Sequence, residues 1–200
     1  MMKLYYATGT CSLSPHIILR ELNMKFDLER VDLVTKRTEH GEDFLAINPK
    51  GYVAALKLKN GELLTEGAAI ALYLGEGTEL VPSSGTMERA RLNELLFYIA
   101  SEVHQAFGPL FHPENPEQDA KARAKLFTRL DFVESLFIDG RHYLLGDKIS
   151  VADFYLFVVV RWSTHLNIDL QRWPQLDYFI QRIAERPSVK AALATEAEHS

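Results

Sequence analysis

The spacing of apolar positions changes character along the chain. Residues 3–7 form a compact apolar and aromatic run closed by Thr8-Gly9-Thr10, which predicts a buried strand. Ser14-Pro15 reads as a helix start, with serine as N-cap and proline at the first helical position; Ile17, Ile18 and Leu22 continue it towards Asn23. Mixed alternation over residues 26–33 predicts a second strand. Residues 42–47 predict a short helix that stops because Asn48 precedes Pro49 and is pushed out of the helical region. Two strand-like runs, 55–59 and 62–65, flank Asn60-Gly61, whose residues tolerate the positive φ of a tight hairpin turn. Residues 66–74 read as a helix with Ile70, Tyr73 and Leu74 on one side.

The resulting order, β-α-β-α-β-β-α, is that of the thioredoxin fold. Residues 75–85 are rich in glycine, serine and proline and read as a linker. Beyond them the pattern is helical: residues 87–110 carry apolar positions at helical spacing, as do 120–137, where Leu126, Leu130, Val133 and Phe137 fall on one face. Pro109 is expected to bend or end the first of these helices. Ser150 and Asp153 resemble a capping box, and the helix behind them, 154–162, is apolar on nearly every side, as befits the centre of a bundle. Trp173-Pro174 and Arg186-Pro187 open two further helices. The fold class expected is an α/β thioredoxin-like N-terminal domain over residues 1–77, a linker at 78–86 and an all-α C-terminal helical bundle over 87–200.

Composition narrows the class of function. Of the 200 residues 47% are hydrophobic and 24% charged, which is ordinary for a soluble globular protein and excludes disorder. The net charge is −5 and no long Lys/Arg run stands out, so a nucleic-acid or anionic-membrane surface is not expected. A single cysteine excludes an internal disulfide and favours a reducing compartment. The start of the chain lacks the apolar core of a signal peptide, and no apolar stretch approaches the ~20 residues that span a bilayer. The expectation is a cytoplasmic protein.

Cys11 is the most informative position. Between a strand end and a helix start, its sulfur is expected near unpaired backbone N–H groups and the positive end of a helix dipole, both of which favour a thiolate and lower its pKa. A solitary cysteine is also, commonly, an inert small hydrophobe. With no second cysteine nearby, disulfide chemistry would have to recruit an outside thiol. Glu66-Gly67 opens a helix straight after a strand: the carboxylate complements the dipole, or it pairs with a ligand ammonium while the first helical N–H groups hold a ligand carboxylate. His104 sits on a long helix beside Glu102 and Gln105, and as a lone helical histidine is most simply a surface or satisfied core group. His104 and His112 do not share a helical metal-binding spacing, and no HExxH, clustered Cys/His, GxGxxG, Walker or GxSxG pattern occurs, so no metal is expected.

Taken together, several segments resemble the glutathione transferases, specifically the bacterial beta class, in which a cysteine faces the substrate thiol. They are Tyr5-Tyr6-Ala7-Thr8-Gly9-Thr10-Cys11-Ser12-Leu13-Ser14-Pro15-His16, Asn48-Pro49-Lys50-Gly51, Leu64-Thr65-Glu66-Gly67-Ala68-Ala69-Ile70, Glu102-Val103-His104, and Ser150-Val151-Ala152-Asp153-Phe154-Tyr155-Leu156. Residues 31–37 add a further match, and the resemblance runs through the whole chain. It implies the glutathione transferase fold, with glutathione as co-substrate bound by the N-terminal domain. A small hydrophobic electrophile or a disulfide would occupy the helical domain, and the unit would be a homodimer. Residue by residue it implies Cys11 and His104 as catalytic groups, with Ser12 beside the thiol. Lys36 would meet the glycine carboxylate, and Tyr52 and Val53 would run beside the cysteinyl peptide like an added strand. Glu66 and Gly67 would hold the γ-glutamyl end, with Glu102 and Gln105 also contributing.

Three positions depart from that pattern. The family normally has proline, in a cis bond, after the residue matching Val53; here it is Ala54, before which a cis bond costs about 2.5–4 kcal/mol against roughly 0.5–1 before proline. A helical asparagine is replaced by Phe97, and a lysine after the histidine by Gln105, which removes a positive charge. Two readings therefore stand: a transferase that uses the glutathione thiolate, with Cys11, for conjugation or thiol–disulfide exchange, and a transferase-like binding or interaction protein with weak or lost activity. Phe107, Phe111 and Trp162 are candidate walls of the electrophile pocket.

Overall fold

Strand β1 (Met2–Tyr6) lies at the centre of a five-stranded sheet ordered β3-β2-β1-β4-β5. It pairs in parallel with β2 (Phe26–Asp32) and antiparallel with β4 (Ala55–Lys57), which pairs antiparallel with β5 (Leu63–Thr65). The two-residue β3 (Arg37–Thr38) closes the far edge, too short to leave a signal in the sequence. Helices α1 (Leu13–Glu21), α2 (Phe44–Ile47) and α3 (Gly67–Gly75) complete this half in the expected order. This computed structural model describes residues 1–198. The chain divides into two compact units, one of Met1–Gly75 together with the chain from Arg186 on, the other Glu76–Glu185.

The start of α1 differs from the expectation. Its N-cap is Ser12, not Ser14, and the cap side chain makes no bond to the helix: Ser12 Oγ instead accepts from the Ala7 N–H at 3.1 Å and meets Thr10 Oγ1 at 2.7 Å. The serine hydroxyl therefore ties the end of β1 to the helix start and fixes the bend that carries Cys11.

Helix α10 (Pro187–Ala197) groups with the first unit, although the sequence places it among the C-terminal helices. A buried polar chain explains why. Arg20 Nε donates to His16 Nε2 at 2.8 Å, which leaves the ring proton on Nδ1, 3.0 Å from a Glu196 carboxylate oxygen. Arg20 also donates to Thr195 Oγ1 at 2.7 Å, while Arg186 and Ser188 at the start of α10 both donate to Glu21. His16 and Glu196 are almost fully buried, so each must keep its partner: an unsatisfied buried polar group costs about 1–3 kcal/mol. On the sheet itself, Lys3, Thr38 and His40 all hydrogen-bond the buried Glu29 carboxylate. Burial pushes that carboxyl up, but these bonds outweigh it and bring it down to about 2.

The second unit is helical: α4 (Met87–Tyr98), α5 (His104–Phe111), α6 (Pro116–Ser135), α7 (Val151–Val160), α8 (Trp162–His165) and α9 (Pro174–Ala184), with a 3-10 turn at Leu170–Arg172. The predicted continuous helix over 87–110 is interrupted by a π-helical turn, Ile99–Val103, and Pro109 sits inside the last turns of α5. All ten residues of α7 are buried, as its unbroken apolar sequence requires. Its N-terminus is held by the expected capping box: the Ser150 N–H and hydroxyl each donate to Asp153 at 2.7 Å, and the Leu144 N–H adds a third bond at 2.8 Å. Burial pushes the Asp153 carboxyl up to about 6 even against these donors. Among the described residues no helix is long and apolar enough to cross a membrane.

Replacing Asp153 with alanine strands three donors in the interior. It should lower stability by roughly 2–3 kcal/mol, read as a fall in the urea midpoint with unchanged slope.

Candidate active site

The loop of residues 48–54 is the hub of the first unit's candidate residues. Pro49 prevents the α2 helix from continuing, and Asn48 then folds the loop on itself: its side-chain amide donates to the Tyr52 carbonyl at 2.8 Å and its backbone carbonyl accepts from the Gly51 N–H at 2.9 Å. Gly51 has φ +69°, and a Cβ there would sit 3.1 Å from Leu45, so both conformation and space call for glycine. Lys36, itself at φ +56°, reaches across to donate from Nζ to the Gly51 carbonyl at 2.9 Å. The Val53–Ala54 peptide is cis.

Cys11 addresses the same loop. Its thiol donates to the Val53 carbonyl at 3.6 Å, so the sulfur lies beside the backbone expected to hold a peptide ligand. Val53 precedes β4, which is flanked by β1 and β5 and is not an edge strand. A peptide added beside Val53 would therefore pair with the loop before the strand and not with an edge of the sheet. The expected thiolate is also corrected. Burial pushes the Cys11 thiol up to about 11; the backbone N–H groups of Cys11 and Ala54 pull the other way without compensating, and Glu66 adds a small repulsion. Desolvation of the charged form exceeds what the helix start returns, and the thiol is protonated at neutral pH.

Glu66 stands at the β5–α3 junction with φ +71°, an uncommon conformation for a residue with a side chain. Its exposed carboxylate pairs with Lys50 Nζ at 2.6 Å, and Lys50 also donates to Thr65 Oγ1 at 3.0 Å. The leading N–H groups of α3, beginning at Gly67, come immediately after, since the first intrahelical bond is Ile70 N–H to Glu66 C=O. Sequence alone did not single out Lys50; its place in the Asn48-Pro49-Lys50-Gly51 turn was the available signal.

In the second unit, His104 opens α5 directly after the π turn. Its Nδ1 lies 2.8 Å from the Tyr155 hydroxyl, and its ring packs edge-on to Trp162 at 4.9 Å. Burial holds its imidazole below the usual histidine range. Glu102, on the π turn, pairs with Arg129 at 2.8 Å, and Gln105 is exposed. Trp162 gathers His104, Phe107 and Phe111 around it, but of the expected wall residues Phe107 is fully buried core while Phe111 is partly exposed. Phe97 is exposed. Sequence alone marks Tyr155 only as part of its motif.

Oxygen and nitrogen atoms of Glu29, Glu39 and His40 come within 4.8 Å of one another, a spacing that suits a cation. Lys3 occupies one Glu29 oxygen at 2.9 Å and the Arg30 N–H one Glu39 oxygen at 2.8 Å, so the group reads as an ion-pair cluster.

Comparison with known proteins agrees with this arrangement. Residues 8–76 match the family model described as glutathione S-transferase, N-terminal domain, and residues 98–187 that described as glutathione S-transferase, C-terminal domain. The chain belongs to the glutathione S-transferase family. It is 43% identical to the glutathione S-transferase GstA of Escherichia coli O157:H7, over 98% of each chain. Its fold superposes on a sphingomonad glutathione S-transferase solved with glutathione at a TM-score of 0.93, with 42% identity over 98% of each. A bacterial beta class enzyme from Sphingomonas chungbukensis gives a TM-score of 0.92 at 44% identity, covering 97% of this chain and 98% of that one. The expected two-part glutathione transferase fold is therefore the one observed.

A protonated Cys11 has a measurable signature. Alkylation by iodoacetamide should be slow at pH 7, where about one thiol in ten thousand is ionised, and should rise close to tenfold per pH unit until it levels near pH 11.

Proposed function

We propose that this glutathione transferase, of the beta class, binds glutathione through its first unit and uses the glutathione thiolate, with Cys11, against an electrophile or a disulfide. The observation that carries the reading is the Cys11 thiol, directed at the Val53 carbonyl in the loop that would align the tripeptide. The sphingomonad relative solved with glutathione supports the ligand.

In this reading Lys36 meets the glycine carboxylate, and Tyr52 and Val53 flank the cysteinyl residue. Glu66 accepts the γ-glutamyl ammonium in exchange for Lys50, while the Gly67 N–H at the start of α3 faces the γ-glutamyl carboxylate. Ser12 holds the turn that carries Cys11. In conjugation the glutathione sulfur forms a bond to carbon as the leaving group departs with its electron pair. In exchange, Cys11 after deprotonation attacks a mixed disulfide of glutathione, forming Cys11–S–S–glutathione and releasing the other thiol. A second glutathione then resolves that bond, giving glutathione disulfide and free Cys11. The high thiol pKa of Cys11 makes the exchange branch the slower one at neutral pH. His104 is the other catalytic group that the reading assigns, with Glu102 and Gln105 beside it in sequence. A homodimer is the proposed assembly, and exposed Phe97 and Phe132 give the second unit apolar surface to bury in one.

The protonated Cys11 and the uncharged, exposed Gln105 favour a second reading, a transferase-like binding or interaction protein with weak or lost activity. Replacing Cys11 with alanine should abolish the mixed disulfide, seen by intact mass, while conjugation of chlorodinitrobenzene persists within about tenfold. Exchange at the wild-type rate in that variant would sink the role given to Cys11. Glu66→Gln should raise the glutathione KM by roughly tenfold, the value of one charge-assisted hydrogen bond, with kcat little changed. No heat at millimolar glutathione in a calorimeter would overturn the first reading and favour the second.

A further inference from the structure

His104 and Tyr155 meet where two local devices fix both rings. The π turn over Ile99–Val103 admits an extra residue into the helix and re-aims the side chains after it, so that His104 leads α5. Tyr155 comes from α7, whose every residue is buried, and its ring is nearly perpendicular to that of His104 at 5.9 Å between centroids. Trp162 packs against the imidazole as well, at an interplanar angle of 62°. Between these aromatic rings the 2.8 Å contact from Nδ1 to the Tyr155 oxygen is the one polar bond that the His104 ring makes among the described residues.

The chemistry of the pair sets its direction. A phenol is the more acidic partner and an imidazole nitrogen the stronger acceptor, so the favoured bond runs O–H to Nδ1. The aromatic surroundings disfavour an imidazolium, which would need to place a second proton on that same nitrogen. Charged groups on the packed elements are engaged elsewhere: Glu102 pairs with Arg129 of α6, Arg161 after α7 lies over the Phe157 ring, and His165 at the end of α8 is exposed. A carboxylate in Tyr155's place would do the reverse, drawing the proton to Nδ1 and stabilising the cation.

We infer that Tyr155 is a positioning residue for His104: its hydroxyl donates to Nδ1, so the neutral ring carries its one proton on Nε2 and presents that N–H as a fixed donor. The inference deepens the functional reading and rests on it for the use of the donor. An uncharged N–H of fixed direction can hydrogen-bond a sulfur as negative charge gathers on it, without itself giving up the proton. Tyr155 acts only through His104.

Nitrogen-15 NMR of the His104 ring in the wild-type protein is the direct test. The expected result is a single tautomer with the proton on Nε2 and a titration below the usual histidine range. In Tyr155→Phe, which keeps the ring packing, the imidazole should titrate about half a unit to one unit higher, since the donor that favoured the neutral form is gone. Turnover of chlorodinitrobenzene should then lose about 3–10-fold in kcat with the glutathione KM unchanged, and its pH profile should gain a step that the wild type lacks. A wild-type Nδ1–H tautomer, or a His104 titration unmoved by Tyr155→Phe, would overturn the inference, and the wild-type spectrum decides even if the variant folds poorly. His104→Ala with full kcat would instead overturn the functional role of His104 and leave the pairing, read by NMR, standing.

Discussion

A thiol that donates a hydrogen bond to a backbone carbonyl links the two segments around which the first unit's candidate residues are organised. The Cys11 contact with Val53 joins the β1–α1 turn to the loop before β4. Everything else in that region supports one side of the contact or the other. Ser12 fixes the turn from the sheet side. Asn48, Gly51 and Lys36 shape the loop from the other, each through hydrogen bonds to backbone atoms. The loop is thus held by polar contacts and not by a strand ladder.

The same need for partners governs the buried charges. Glu29, Glu196 and Asp153 lie in the interior, and each has hydrogen-bond partners: Lys3 and His40 for the first, His16 for the second, and the nearby Ser150 and Leu144 for the third. Glu29 and Glu196 tie distant segments together, Asp153 ties α7 to the stretch just before it, and each would be costly to leave alone. His104 shows the contrasting solution. Burial disfavours its charged form, and its Nδ1 meets a phenol, which carries no charge.

Much of this was legible in the chain. The β1, β2 and hairpin positions, the proline-opened helices α9 and α10, the Ser150 capping box and the wholly buried α7 all result from spacing and end signals, because those depend on neighbours within a few residues. The π turn was not legible: residues 87–110 carry a continuous helical pattern, and only packing decides where one residue is added. Nor was the attachment of α10 to the first unit, since the His16–Glu196 pair spans 180 residues and neither partner signals the other.

At the candidate site the division is sharper. The sequence determined which groups are present, that Cys11 stands between a strand and a helix, and that Glu66 precedes a helix start. Tertiary structure alone decided their state. A helix start promises a thiolate, yet desolvation outweighs the promise; Glu66 is met by Lys50, and His104 by a tyrosine 51 residues away. Ionisation and hydrogen-bond direction depend on everything within a few ångströms in space, and that neighbourhood exists only once distant stretches of chain have been brought together.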